Sequence, residues 1–404
     1  MKIVVLAKGD YIMESIGLME PLLPPEGTSE LDDLVVDLVS KASSFAGMLN
    51  PVVSKSVGDL VRSMNCYYSN LIEGHDTHPR DIDRAMAENY SSEPEKRAFQ
   101  KEAVAHISVQ KMIDEERSLD LCPISSEYGQ WIHKEFCERL PEELLWVENP
   151  DTKEKINIIP GMHRDGTVQV GRHIPPLPEN LDIFLRRFNE AYDSRKLSKL
   201  QRIIAIAASH HRYVWIHPFY DGNGRVVRLM SYAALKNAKV GSELWSVARG
   251  LARQKEKYKS LLQAADEQRR GDLDGRGTLS QKALTDFCTF FLNVCIDQVE
   301  YMSKLLDFKT LSERMRIHVE EMTAMKQLPK GSYSLLREAL LVGEFERGKV
   351  VDITGFKDRT AREVMYALLK KGLLVSDTPR GPVRLGFPID MVERWFPLLY
   401  PATK

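Results

Sequence analysis

The stretch HPFYDGNGRVVR, residues 217–228, joins two predicted helices and holds most of the candidate chemistry of this chain. Apolar spacing predicts a helix over Leu200–Trp215, and Pro218 disfavours helical geometry at the residue before it. We therefore expect the His217 imidazole at a helix end. The next four residues, 221–224, indicate a tight turn that opens into a second helix. A helix that begins this way presents unpaired backbone N–H groups, which bind anions.

Two arginines complete the set. Arg225 and Arg228 are expected on the first turn of the second helix, within reach of polyphosphate oxygens. A base, a carboxylate, a backbone anion site and two cations suit phosphate chemistry on a nucleotide, because positioning and charge neutralisation supply most of that catalysis. The alternative is a loop capped by Asp221 and Asn223 with surface arginines. A generic GNG turn alone favours that alternative.

The full string resembles the signature of Fic-domain proteins, HPFx(D/E)GNGRxxR, and every specified position matches. The resemblance covers the chain from Leu31 to Leu306, and His210 and Tyr213 also resemble the family's approach to the motif. It implies a mainly α fold, in which a helical core carries a β-hairpin flap above the nucleotide. The implied activity is protein adenylylation: AMP passes from ATP to a Tyr, Ser or Thr hydroxyl of a target protein, or of the chain itself, and pyrophosphate leaves.

The resemblance also assigns roles to the motif positions. His217 would be the general base, and an ordinary histidine pKa near 6.5 suits that role. Asp221 would hold Mg2+ on the phosphates. The positions expected to bind the ATP phosphates are Gly222, Asn223, Gly224, Arg225 for the β-phosphate and Arg228 for the γ-phosphate.

The nucleotide specificity depends on other residues. Relatives that phosphorylate their targets depart from the GNGR part of the signature, whereas this chain keeps it, so AMP transfer is favoured and UMP or another nucleotide is left open. Tyr258 resembles an aromatic residue that packs near the adenine, with ordinary helix packing as the alternative. Asp266 stands where some relatives carry asparagine.

A further motif lies upstream. A predicted helix over Val57–Ile72 ends at Gly74, which puts Glu73 at a helix C-terminus, where the dipole disfavours a carboxylate by about 0.3–1 kcal/mol. Water is the usual partner of such a side chain. The string from Ser69 to Gly74 resembles the inhibitory pattern (S/T)xxxE(G/N) of one class of Fic proteins. In that class the glutamate pairs with the second motif arginine, here Arg228, and keeps ATP from binding productively; removal of AMP is left open as a reverse activity.

The flap is predicted from two apolar runs, Ile156–Ile159 and Val168–Val170, on either side of Asp165-Gly166. The residues expected to dock an extended segment of the target through main-chain hydrogen bonds are Val168, Gln169, Val170 and Gly171. A hairpin that only covers the core is the alternative.

The C-terminal part has a different pattern. Helices are predicted over Leu335–Val342 and Asp358–Lys371, with a helix-permissive stretch near Gly348–Ile353 between them. With the predicted strands at Leu374–Val375 and Val383–Leu385, this order resembles a winged helix-turn-helix. The last of these helices has a modest basic bias that suits phosphate contacts. The predicted domains are an N-terminal helical module with the inhibitory motif (1–115), the Fic catalytic core (116–325) and the winged helix (326–404).

Composition narrows the class of protein. Hydrophobic residues make up 43% of the 404 residues and charged residues 28%, with a net charge of -1, which gives no global argument for nucleic acid or membrane binding. No apolar run approaches the length of a membrane span, and the five cysteines lack CxxC spacing, so we expect a cytoplasmic protein with reduced thiols. DNA binding and a homodimer are left open as partners.

Two other functions fit the sequence less well. A DNA-binding transcriptional regulator whose Fic core only senses nucleotide would not need the base His217. A zinc hydrolase built on His210, His211 and His217 lacks the HExxH spacing and its oxygen ligands.

Overall fold

The computed structural model describes residues 3–6, 14–117, 120–149 and 152–400, and these are mainly helical, which confirms the predicted fold class. The helices are α1 (Ser29–Ala46), α2 (Pro51–Glu73), α3 (Pro79–Met86), α4 (Pro94–Asp114), α5 (Ser126–Cys137), α6 (Leu181–Ala191), α7 (Lys199–Ile216), α8 (Asn223–Asn237), α9 (Val247–Arg253), α10 (Lys255–Asp266), α11 (Gln281–Leu305), α12 (Phe308–Ala324), α13 (Ser332–Val342), α14 (Val350–Thr354), α15 (Asp358–Lys370) and α16 (Ile389–Trp395). The strands are β1 (Ile3–Leu6), β2 (Trp146–Glu148), β3 (Lys155–Asn157), β4 (Thr167–Val170), β5 (Glu344–Phe345), β6 (Leu374–Val375) and β7 (Val383–Leu385). Each described helix is too short or too polar to cross a bilayer.

The chain divides into two compact units. The first consists of residues 1–42, 65–242 and 246–298, and the second of residues 43–64, 243–245 and 299–404. In the first unit α7 is buried along nearly its whole length and packs against α6, α8 and α10. In the second, α13, α14 and α15 pack together beside a three-stranded sheet in the order β5-β7-β6. The two predicted C-terminal strands, β6 and β7, are paired antiparallel as expected.

Helix ends follow local chemistry. The helix predicted from Val57 begins earlier, at Pro51, because proline is well tolerated in a first turn, where its missing N–H is not needed. It ends at Glu73, and Gly74 follows with φ 96°, a left-handed value suited to glycine. The second helix of the motif begins at Asn223, within the predicted turn 221–224, so Arg228 lies in its second turn and not, as the sequence predicted, in its first.

The predicted pairing of the flap strands is wrong. β3 pairs with β2 to form a small antiparallel hairpin, whereas β4 pairs antiparallel with β1, with Val168 opposite Val5. Pro160 and Gly161 separate the two predicted partners, and the Gly161 N–H donates to the Nδ1 atom of His133 at 2.9 Å. The chain therefore turns towards α5 after β3 and does not return along it.

Helices α5 and α7 meet at a glycine. A Cβ atom added to Gly129 would lie 2.0 Å from the hydroxyl of Tyr213, which is fully buried and has no room to move. Because overpacking in a dense core is destabilising, the absence of a side chain at 129 sets how closely these helices approach.

We expect Gly129→Ala to lower the free energy of unfolding by about 1–3 kcal/mol, because the added methyl group overlaps the Tyr213 hydroxyl. The melting temperature of the purified variant measures this loss. Gly47→Ala is the matched control, since a Cβ there meets nothing within 4 Å. Equal melting temperatures for the two variants would contradict the contact.

The pairing of β4 with β1 is open to a separate measurement. Deletion of residues 1–6 should speed amide hydrogen exchange at Thr167–Val170, because backbone groups that bond to β1 become available to water. Exchange over β2, which pairs only with β3 among the described residues, should not change. Unchanged protection of Thr167–Val170 would argue against this register.

Candidate functional site

The motif forms the connection between α7 and α8, and two left-handed residues shape it. His217 is the C-cap of α7 with φ 50° and ψ 61°, and Gly222 is the N-cap of α8 with φ 81°. A left-handed conformation costs a non-glycine residue on the order of 1–2 kcal/mol, so the surroundings of His217 must hold it there. The N–H groups of the first turn of α8 face the end of this loop, which makes a ready anion site.

The Asn223 side chain fixes the loop. Its Oδ1 atom accepts from the Phe219 N–H at 3.0 Å, and its Nδ2 atom donates to the Phe219 carbonyl at 2.8 Å. Phe219 itself is fully buried and stacks on His133, with ring centroids 3.9 Å apart and planes 1° from parallel. In this structure Asn223 therefore holds the backbone of the motif.

The imidazole of His217 is 4% exposed, and neither ring nitrogen has a hydrogen-bond partner of good geometry among the described residues. Burial, followed by the charge of Arg164, lowers the His217 pKa to about 3. The ordinary value expected from the sequence is therefore wrong for the folded chain. The His217 imidazole is therefore neutral throughout the physiological pH range.

Glu73 lies against Arg228. Its Oε1 atom is 2.7 Å from the Nη2 atom of Arg228, whose Nε also donates to the Ser69 hydroxyl at 2.9 Å. Burial opposes ionisation of Glu73, but the charge and hydrogen bond of Arg228 outweigh it, and the Glu73 pKa lies below its ordinary value. Ser69, Glu73 and Arg228 are thus brought together, and Arg228 is an ion-pair partner of this carboxylate.

Gly224 makes that contact sterically feasible. A Cβ atom at this position would lie 2.2 Å from the Oε1 atom of Glu73 and 3.0 Å from an Arg228 nitrogen. Glu73 therefore occupies the space above the first turn of α8.

The other arginine, Arg225, is held by two carboxylates. Its Nη2 donates to Asp221 at 2.8 Å, and its Nη1 lies 3.2 Å from Glu102 on α4. Burial opposes the charge, but the neighbouring carboxylates raise the Arg225 pKa. Its Nε atom is buried and has no hydrogen-bond partner of good geometry within the described residues. Glu102 also accepts from His75 at 2.7 Å.

Asp221 fits the role expected of it. Its side chain is half exposed, and although burial opposes ionisation, Arg225 and the Gly222 N–H hold its pKa below the ordinary value. It is therefore a carboxylate that can reach a hard cation. Among the described residues no three His, Cys, Asp or Glu side chains form a metal-binding group. A single carboxylate suffices for Mg2+ when substrate phosphates supply other oxygens.

The other candidate side chains contact one another inside the core. Tyr258 is 2% exposed, and its hydroxyl pairs with the Nε2 atom of His210 at 2.7 Å. The Nδ1 atom of His210 pairs with Ser231 at 2.8 Å, so both of its ring nitrogens are in use. His211 lies 3.1 Å from Asp266. The histidine set of the zinc hydrolase therefore gains no support from this geometry.

The flap candidates lie on and just after β4. Val168 is fully buried, and the Val170 N–H and carbonyl both bond to His173. The Gln169 side chain donates to the Gly171 carbonyl at 2.9 Å. One edge of this strand is already paired with β1.

The basic bias of the C-terminal module is largely compensated. On α15, Arg359 pairs with Glu363 at 3.1 Å and Arg362 with Asp358 at 2.9 Å, each one turn away along the helix. Such exposed ion pairs stay hydrated and reduce the net positive charge of the helix surface. No specific geometry here favours DNA.

Three further residues contact the motif and were not predicted from the sequence: Glu102, His133 and Arg164. Glu102 and His133 lie on α4 and α5, far along the chain from the motif, and Arg164 lies in the loop before β4. None belongs to a local pattern. A charged or polar residue within an apolar stripe is a weak signal that could have pointed to His133.

Part of this chain matches a known protein family. Residues 123–235 match the Fic/DOC family. This chain is 42% identical to a protein adenylyltransferase Fic of Nematostella vectensis and 41% identical to that of Drosophila erecta. Both alignments cover 78 residues, which are 19% of this chain. These matches cover 18% and 16% of the two relatives, so this chain matches less than a fifth of their length.

Solved structures give the fold. A Fic family protein from Desulfovibrio desulfuricans matches with a TM-score of 0.53 at 16% identity, covering 91% of this chain and 98% of that chain. A Fic domain containing signaling protein from Bacteroides thetaiotaomicron matches with a TM-score of 0.50 at 19% identity, covering 67% of this chain and 97% of that chain. Together with the family match, these findings show that this chain contains a Fic domain.

Proposed function

We propose that this chain is a protein adenylyltransferase that transfers AMP from ATP to a Tyr, Ser or Thr hydroxyl. The observation that carries the proposal is His217: a buried, neutral imidazole with both nitrogens uncommitted among the described residues, next to the anion site of α8. A histidine held in a costly conformation without a hydrogen-bond partner has no evident structural purpose. The names of the curated relatives support the same reaction.

The proposed step forms one bond to the α-phosphorus and breaks another. The target hydroxyl oxygen attacks the α-phosphorus, the bond from that phosphorus to the bridging oxygen breaks, and pyrophosphate leaves. His217 takes the hydroxyl proton on a ring nitrogen, which its neutral state allows. The α8 N-terminus and the charge of Arg225 would offset the charge of the phosphates.

Mg2+ is expected as the metal. Asp221 would hold it, and when bound it would neutralise charge on the pyrophosphate leaving group. Asp221 in this structure also accepts from Arg225, which orients the carboxylate towards the same end of α8.

We further propose that Glu73 restrains this activity. Its carboxylate pairs with the arginine that would meet the γ-phosphate and fills space above Gly224. Two negative groups, Glu73 and a triphosphate, would compete for one guanidinium. A reverse reaction that removes AMP is an extension of the same geometry, since an ionised Glu73 close to the phosphate site would orient a water molecule.

The flap is the proposed docking site for the target. A strand such as β4 binds an extended segment through its backbone, which selects shape more than sequence. Because residues 3–6 pair with β4, a target that uses the same edge displaces them. Self-modification, DNA binding by a C-terminal winged helix, a homodimer and the boundaries 1–115, 116–325 and 326–404 stay predictions from the sequence.

The reaction and its restraint are tested together with ATP labelled at the α-phosphate. We expect Glu73→Gly to take up label about tenfold faster than the wild type or more, which corresponds to about 1.4 kcal/mol. Adding His217→Ala should reduce that rate by about 100-fold or more. The matched control is Glu267→Gly, which removes another carboxylate at a helix end.

The outcomes separate the two claims. Equal labelling of wild type and Glu73→Gly would refute the restraint, and labelling that survives the loss of His217 would refute its role as the base. Label retained from the γ-phosphate instead of the α-phosphate would show kinase chemistry.

The pH dependence follows from the His217 pKa of about 3. A lowered pKa leaves the imidazole neutral above that value, and the neutral form is lost only as the pH falls through it. The maximal labelling rate of Glu73→Gly, at saturating Mg2+ and ATP, should therefore show no inflection near about 6.5, the ordinary histidine value. A half-maximal rate at that pH would show that the base titrates as an exposed histidine.

A further inference from the structure

Arg164 is a buried cation near His217 whose hydrogen bonds go to carbonyl oxygens. The residue is 2% exposed, and its guanidinium donates to the carbonyls of His217 at 2.8 Å, Gly166 at 2.9 Å and Pro176 at 2.5 Å. Burial lowers the Arg164 pKa to about 10, so the group keeps its charge near neutral pH. Burying a cation is costly, and a core filled by apolar side chains would avoid that cost.

The three acceptors belong to two different segments. Gly166 and Pro176 lie on either side of β4. The flap is from here on the segment around β4, residues 165–176, and His217 lies in the loop of the motif. The backbone of Arg164 adds a fourth bond, because its N–H donates to the Pro218 carbonyl at 2.9 Å. One residue therefore joins both ends of the flap to the two residues at the start of the motif.

Two neighbouring hydrogen bonds also join the flap to the region around His217. The Tyr220 hydroxyl donates to Asp165 at 2.7 Å, and the Nε2–H of His173 donates to the Trp215 carbonyl at 2.7 Å. The flap thus contacts the motif before, at and after His217, and Arg164 makes the central contact.

The hydrogen bond from Arg164 to the His217 carbonyl stabilises the left-handed backbone of His217. A left-handed residue turns its carbonyl away from the helix ladder, and the Nε–H of Arg164 supplies the acceptor with a partner in that orientation. The imidazole direction depends on this backbone. A displacement of about 1 Å between reacting groups costs about 100-fold in rate.

We propose that Arg164 is a positioning residue, which fixes the left-handed backbone of His217 and sets the distance between the base and the flap. This inference rests on the proposed function. Arg164 acts through His217 and the flap backbone, and it governs turnover, not nucleotide affinity. The planar fork of an arginine reaches three carbonyls at once, which the single ammonium of a lysine does not.

The test uses the full chain in the Glu73→Gly background, with ATP labelled at the α-phosphate. Arg164→Lys keeps the charge and removes the fork, and Arg164→Ala leaves space for added guanidinium ion. Arg186→Gln, which removes an exposed arginine from α6, is the control. We expect kcat of Arg164→Lys to fall about 10- to 100-fold while KM for ATP stays within about twofold. Guanidinium ion, but not methylammonium ion, should raise kcat of Arg164→Ala.

Other results overturn the proposal. An unchanged kcat for Arg164→Lys shows that charge alone is needed, and a raised KM with unchanged kcat places Arg164 in nucleotide binding. If neither Arg164 variant melts above the assay temperature while the control does, the residue is required for folding and the positioning role fails.

A second measurement does not depend on labelling. In nuclear magnetic resonance spectra of the chain with isotope-labelled histidine, the His217 ring signal is assigned by its absence in His217→Ala. Arg164→Lys should move that signal, and Arg186→Gln should leave it in place. A signal that stays in place in Arg164→Lys overturns the proposal even if the chain proves inactive, whereas absence of labelling in Glu73→Gly counts against the proposed function alone.

Discussion

Buried guanidinium groups need acceptors, and around this site that need decides where several segments lie. Arg228 is 3% exposed and takes its acceptors from the end of α2. Arg225 takes its acceptors from Asp221 and α4, and Arg164 takes carbonyls from the flap and the motif. Because a buried cation without partners costs several kcal/mol, each arginine fixes the segments that satisfy it. The site is thus assembled from regions that lie far apart in sequence.

These contacts leave the two arginines of the motif already compensated by three carboxylates. Glu73 compensates Arg228, and Asp221 with Glu102 compensates Arg225. Under the proposed function, a triphosphate would have to replace protein carboxylates, which is a less favourable exchange than binding to free cations. The proposal therefore makes the affinity for nucleotide depend on displacement of Glu73 from Arg228.

Much of this arrangement follows from the sequence. Apolar periodicity places α7, α13 and α15 to within a few residues, Gly74 ends α2, and the C-terminal strands pair as expected. The motif places its chemistry at a helix start, because a proline and a glycine turn have strong local preferences. The residues from Ser69 to Gly74 suggest a contact with Arg228, and that contact is present.

Other features depend on long-range packing and have no local signal. The pairing of β4 with β1 joins segments more than 160 residues apart in number, and strands of four residues fit several partners equally well. The bonds of Arg164 and Glu102 depend on where α4 and the flap meet the motif. The low pKa of His217 arises from burial, which the motif alone does not specify.

The close approach of Glu73 to Gly224 has a genetic consequence. A side chain at 224 would overlap the Glu73 carboxylate. Under the proposed function it would also crowd the phosphates, so a mutation there would remove the proposed restraint and the proposed activity together. Under the same proposal, alleles that release the activity should lie in the last turn of α2, where the restraint could be lost without damage to the motif. In natural lineages the two segments should therefore diverge at different rates, with the α2 end free to change wherever permanent activity is tolerated.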